Sequence, residues 1–244
     1  MNLDSRNVDR AHFEDWNELR DQILHDASDG FIWRGVPNST WCIHSSLDRF
    51  MAANFIRDRG KSSARLLALY RKYLAELEDT PSHLDSEEDL WALGQHWGLP
   101  TPLIDWSYSP MVAVYFAVTS ADSGTDPSER VSCLWRLDIS NNAFSGPGDV
   151  EILTPSAGPW NRRLKGQQGL FTKVNIGGCL VETLTTQGYV DKLKAYTFPF
   201  CLADIALRDL KYMTIDDLQL FPDFLGVIRF ITAQAIREGQ RRGK

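Results

Sequence analysis

The segment Ser109-Pro110 followed by Met111 to Thr119 constrains the fold most. Ser-Pro is an N-cap and first-turn pair, and the run behind it is almost wholly apolar. A helix without a polar face has to be covered on every side. The chain must therefore build enough structure around residues 111–119 to bury them. With 244 residues, 43% of them apolar, it can do so without a disulfide or metal staple.

The rest of the chain supplies helices and strands in alternation, with no internal repeat. Residues 11–27 predict a helix, because Phe13, Trp16, Leu19, Ile23 and Leu24 fall at helical spacing. Asp29-Gly30 ends it, and Phe31-Ile32-Trp33-Arg34-Gly35 reads as a short strand running into a turn. Residues 60–78 predict a second helix. Ser86 reads as the N-cap of a third, with Glu87, Glu88 and Asp89 in a first turn whose dipole favours anions. That helix stops at Gly98, before Pro100. Leu103 to Trp106 is short and extended. Strands are expected at 131–139, 150–153, 170–174 and 194–200, and helices at 202–210, 215–220 and 223–237. The Gly- and Pro-rich stretch 141–161 reads as a long loop around the second of those strands. The expected fold is α+β, a mixed and mostly antiparallel sheet flanked by helices. A helical N-terminal segment (1–30), a main domain (31–232) and a polar tail (233–244) divide the chain.

Lys and Arg number 26 against 32 Asp and Glu, a formal net charge of -6. That balance argues against a general electrostatic grip on nucleic acid or an anionic membrane. The N-terminus MNLDSRNVDRAHFEDW lacks the apolar core of a signal peptide, and no stretch approaches the roughly 18 apolar residues of a membrane span. Cys42, Cys133, Cys179 and Cys201 lie far apart, and neither they nor the five histidines have metal-ligand spacing. No metal is expected. Four lone thiols fit a reducing compartment, so the expected location is the cytoplasm.

Three segments carry the residues from which a site can be built. In the first, Arg34 leaves an apolar strand with a guanidinium fork suited to a phosphate or carboxylate, and Gly35 leaves room for a close backbone approach. The same dipeptide also describes a structural arginine paired with an internal carboxylate. The second is Gln95-His96-Trp97-Gly98-Leu99-Pro100-Thr101-Pro102-Leu103-Ile104-Asp105-Trp106-Ser107-Tyr108-Ser109-Pro110. Here Gln95 and His96 sit at a helix C-terminus, where the dipole favours a cationic imidazole. Asp105 lies at a strand end, and Ser107 and Ser109 precede a helix whose free N–H groups suit an anion. A C-cap at Gly98, an N-cap at Ser109 and a paired Asp105 would account for the same residues as scaffold. The third, Arg162-Arg163-Leu164-Lys165-Gly166-Gln167-Gln168-Gly169-Leu170-Phe171, offers cations to an anionic substrate or is a solvated basic loop. Gln167 can hydrogen-bond a ribose hydroxyl but cannot titrate. There is no GxSxG, GxxxxGK[ST] or HExxH pattern.

Together these segments resemble the FRG domain family, named for a Phe-Arg-Gly motif that stands here as Trp33-Arg34-Gly35. The resemblance rests mainly on Gln95 to Thr101 running into Leu103-Ile104-Asp105-Trp106 and then Ala113-Val114-Tyr115-Phe116-Ala117. Gln167-Gln168-Gly169-Leu170-Phe171 resembles the family's Gln-x-Gly-x-Phe element, and Leu220-Phe221-Pro222-Asp223-Phe224-Leu225-Gly226 its closing pattern. Ser46-Leu47-Asp48-Arg49 also fits and puts Arg49 beside Arg34 as a site candidate. Pro102 departs from the family pattern, which has arginine there. The order of Arg34, then Ser107-Tyr108-Ser109, then Gln167-Gln168 is also similar to the ADP-ribosyltransferase fold. That resemblance implies an NAD-utilising transferase or NAD glycohydrolase, a toxin or phage-defence effector, with NAD as substrate and a protein or nucleic acid as acceptor. Arg34 would hold the NAD phosphates, and Gln95 or His96 would orient substrate. Thr101, Ser107, Ser109 and Gln167 would line the pocket. Gly169 stands where such folds usually carry a catalytic glutamate, so Asp105 becomes the candidate carboxylate. The alternative is a non-catalytic module that senses a nucleotide or peptide through the same cleft.

Overall fold

In a computed structural model, described over residues 8–77, 84, 86–120, 124–144, 148–155 and 162–242, the chain forms one mixed sheet covered by helices on both faces. The strands are β1 (Asp9–His12), β2 (Phe31–Val36), β3 (Leu103–Ser107), β4 (Val131–Asp138), β5 (Val150–Leu153), β6 (Gly169–Val174) and β7 (Leu193–Pro199). The helices are α1 (Trp16–His25), α2 (Ser46–Ala53), α3 (Arg59–Leu74), α4 (Glu87–His96), α5 (Pro110–Thr119), α6 (Arg162–Gly166), α7 (Leu180–Thr186), α8 (Ala203–Tyr212), α9 (Asp217–Leu220) and α10 (Phe224–Arg242). The sheet order is β1-β7-β4-β2-β3-β6-β5. Only β1 and β7 pair in parallel; the other pairs are antiparallel. The α+β architecture with a mostly antiparallel sheet is as expected.

The apolar helix α5 organises the packing. Every residue of it except Phe116 and Thr119 is buried. Ser109 caps it by accepting from the Val112 amide, with Pro110 in its first turn. Strand alternation then decides which side chains it meets. Trp33, Leu134, Tyr196 and Phe198 point toward α5, α1 and α8. Ile32, Trp135 and Leu137 point to the other face, toward α7. Gly35 fits this packing. A Cβ there would lie 1.8 Å from the Ala113 carbonyl oxygen and 2.6 Å from the Ala117 nitrogen. Helix α5 occupies the space that a side chain would need, and Gly35 also lines a cavity beside β2.

Local signals behaved as their chemistry dictates. Ser86 accepts from the Asp89 amide and starts α4, and Gly98 ends it with φ +89°. Four features differ from expectation. The segment before residue 31 is not purely helical, because β1 adds a strand beside β7. Residues 46–53 and 180–186 are helical, and the basic stretch at 162–166 is a helix and not a loop. Residues 233–242 continue α10 and are no separate tail. Cys42 and Cys179 are not lone thiols: they pair as a disulfide, with Cα atoms 5.7 Å apart. Among the described residues no helix is long and apolar enough to cross a membrane.

Candidate functional site

Strand β2 is paired along its whole length with β4, from Phe31↔Asp138 to Val36↔Cys133. With β3 it shares one registered pair, Trp33↔Ser107. Beyond that pair the two strands diverge, and β3 spends its other edge on β6. A split inside a sheet strands backbone groups that a ladder would satisfy. Arg34 repairs it: its Nη1 donates to the Asp105 carbonyl oxygen at 2.7 Å. A cavity of about 360 Å³ opens at this split.

The split brings together residues from all three segments singled out above. Arg34, Gln95, His96, Asp105, Ser107 and Gln167 all line the cavity. Its walls include the aromatic residues Trp33, Phe116 and Phe221. Asp105 is the exposed carboxylate of the group, with 61% of its side chain open, whereas Arg34 is only 20% open. The Gln95 Nε2 donates to Asp105 Oδ1 at 2.5 Å, and Arg34 Nη1 lies 3.7 Å from Oδ2. Burial pushes the Arg34 pKa down, and the neighbouring Arg49 pushes the same way while Asp105 opposes both. An arginine remains charged through such a shift. Among the described residues the buried Arg34 Nε has no hydrogen-bond partner.

Thr101 is fully buried and its hydroxyl donates to Gln95 Oε1. It does not line the cavity; it orients the amide that holds Asp105. The motif Ser46-Leu47-Asp48-Arg49 reaches the site by the same route. Ser46 Oγ accepts from the Thr101 amide at 2.9 Å, and the Leu47 amide donates to the Thr101 carbonyl at 2.9 Å. Arg49 itself is exposed, donates to the His44 carbonyl at 2.6 Å and acts on Arg34 through its charge. Ser109 is committed to capping α5 and lies outside the cavity lining, so its expected place in a ribose pocket is not met. Ser107 lines the cavity, but its hydroxyl donates to the Gln167 carbonyl at 2.7 Å. The Gln167 side chain donates from Nε2 to the Leu220 carbonyl at 3.1 Å.

His96 differs in charge from the expectation. Burial and then the Arg163 charge lower its pKa, and Asp223 only partly offsets them. Loss of hydration outweighs the helix-end dipole, so the imidazole is neutral near pH 7. Arg163 and Phe221 also line the cavity and lie outside the predicted site residues. Arg163 belongs to the basic run, but its Nε is bound to Asp223 Oδ2 at 2.5 Å, so it is not a solvated cation. Phe221 and Asp223 are both held by the closing motif. A Cβ at Gly226 would sit 1.8 Å from the Phe221 carbonyl oxygen, so only glycine permits that turn. Arg162 and Lys165 are exposed and outside the lining. Gly169 packs against Leu164, whose Cδ1 lies 2.8 Å from where a Cβ would stand.

The stretch that supplies Arg34, Gln95, His96 and Asp105 also carries the family match. Residues 29–126 match the FRG domain. The match ends before the 167–171 and 220–226 elements, which complete the cavity from outside it. No curated protein and no solved structure matches the chain.

Proposed function

We propose that the cleft between β2 and β3 binds NAD and cleaves its nicotinamide–ribose bond, delivering ADP-ribose to an acceptor or to water. What carries this reading is the convergence of Arg34, Gln95, His96, Asp105, Ser107 and Gln167 on one cavity. Its volume of about 360 Å³ is within the range of small-molecule sites and takes one end of a dinucleotide. Arg34, mostly buried and charged, supplies a fixed cation for the pyrophosphate. Aromatic walls suit a flat ring.

As the glycosidic bond breaks, its electron pair leaves with nicotinamide and positive charge develops on the ribose. Asp105 is the carboxylate positioned to stabilise that charge. Gln95 and Arg34 hold it, so little reorganisation is needed as the charge appears. Neutral His96 can take the proton from an attacking hydroxyl or water. The binding-only alternative draws on one observation: position 169 is glycine packed against Leu164 and supplies no carboxylate.

The deciding experiment follows nicotinamide release from NAD by the wild type and by Asp105→Asn, with and without protein or nucleic-acid acceptors. Loss of a positioned transition-state group costs roughly 10²–10³ in rate. The carboxylate is mostly exposed, so the variant should melt within a few degrees of wild type. Binding without turnover would make the chain a sensor. No binding by the wild type would end the reading.

A further inference from the structure

Outside the cavity lining, a second group of chemically capable side chains comes together. Cys42 lies in the loop between β2 and α2, and Cys179 immediately precedes α7. They are 137 residues apart in sequence, yet their Cα atoms are 5.7 Å apart. The Leu180 amide donates to the Ile43 carbonyl at 2.9 Å and fastens the two segments beside the sulfurs. The third member is His44. The ligand atoms of Cys42, His44 and Cys179 all lie within 4.8 Å of one another. Among the described residues the His44 imidazole makes no hydrogen bond or ion pair.

A disulfide uses only the two sulfurs and leaves this imidazole without a task. We propose that, when reduced, Cys42, Cys179 and His44 bind one zinc ion, with the fourth position open to water. The disulfide is then the alternative state of the same two sulfurs. Two thiolates and an imidazole are soft and borderline donors, which select zinc over magnesium or calcium. Charge favours the same ion. Cys179 is 1% exposed in an apolar core, and Cys42 packs against that core. Two thiolates cancel the charge of Zn²⁺, so the complex is neutral and the low-dielectric surroundings penalise it little. Interconversion balances with a dithiol reductant. Two electrons and two protons convert the disulfide to two thiols while the reductant forms its own disulfide, and zinc binding then releases both thiol protons.

The full chain is reduced with a phosphine, stripped with a chelator, freed of both and titrated with cobalt(II), then zinc. The expected result is one cobalt per chain with a thiolate-to-metal charge-transfer band, displaced by zinc. Cys42→Ser and Cys179→Ser should each abolish the band. His44→Ala, altering a part-exposed residue, should bind roughly 10-fold or more weakly, since even outer partners of a metal ligand are worth that much. Wild type left oxidised should bind none, a control that needs no mutation. Absence of the band in reduced wild type overturns the proposal. So does its survival in either cysteine variant or in the oxidised protein, or undiminished affinity in His44→Ala.

Discussion

The two edges of β2 have opposite fates. Against β4 the ladder is complete, and on that side the strand is scaffold. Against β3 it is paired once, at Trp33↔Ser107, and the cavity opens there. Adjacent residues divide the labour: Gly35 lets α5 lie down on the strand, while Arg34 bridges the split to the Asp105 carbonyl. A sheet can host a polar site in its interior if a side chain takes over the hydrogen bonding that the ladder drops.

The sharpest way to break this contrast is Gly35→Ala. A methyl 1.8 Å from the Ala113 carbonyl cannot be accommodated without moving α5. Overpacking of this kind should cost about 3 kcal/mol or more, lowering the melting temperature by roughly 6–12 °C for a domain of this size. A stable Gly35→Ala protein would mean that β2 is not clamped on its scaffold side. Arg34→Ala tests the neighbouring residue. Loss of one charge-assisted contact is worth about 1.5–3 kcal/mol, so calorimetry should find NAD bound roughly 10- to 150-fold more weakly. Equal affinities would place the anion elsewhere.

The scaffold half also has its own acid sensitivity. Asp26 sits on that side, against β7. Burial alone would raise its pKa, but hydrogen bonds from Tyr196, His25 and Gln22 and the Lys194 charge outweigh it and hold the value at about 2. A carboxylate depressed in the folded state stabilises fully above its unfolded pKa and loses that contribution as pH falls toward the folded value. Roughly 2 kcal/mol should therefore disappear between about pH 4 and pH 2. Asp26→Asn should flatten that limb of a melting-temperature profile, and an unchanged limb would disprove the assignment. The smallest effect belongs to the cleft. His96 is depressed and binds its proton less readily folded than unfolded, so it withdraws stability as pH drops below about 6.5. His96→Asn should remove that decline and leave the Asp26 limb untouched.

Caps and apolar patterning were readable from the residues alone because they act within one turn of chain. Ser86, Gly98, Ser109-Pro110 and the buried helix behind them needed no tertiary information. The candidate site was legible as residue types, and Arg34, Gln95, His96, Asp105, Ser107 and Gln167 do share one cavity. The roles of their neighbours were not legible. Thr101 and Ser109 have the composition of ligand contacts but spend their hydroxyls on Gln95 and on a helix cap. The His96 charge depends on burial and on Arg163, 67 positions onward in the chain. Cys42 and Cys179 meet across 137 residues, a separation that no spacing rule anticipates. By itself the sequence determined the α+β class, the helix ends and the chemical vocabulary of the cleft, because propensity, capping and periodicity are local. Only the tertiary structure decided where β2 parts from β3, which hydroxyls remain for a ligand and which cysteines become partners, because hydrogen-bond competition and desolvation depend on what the fold places alongside each group.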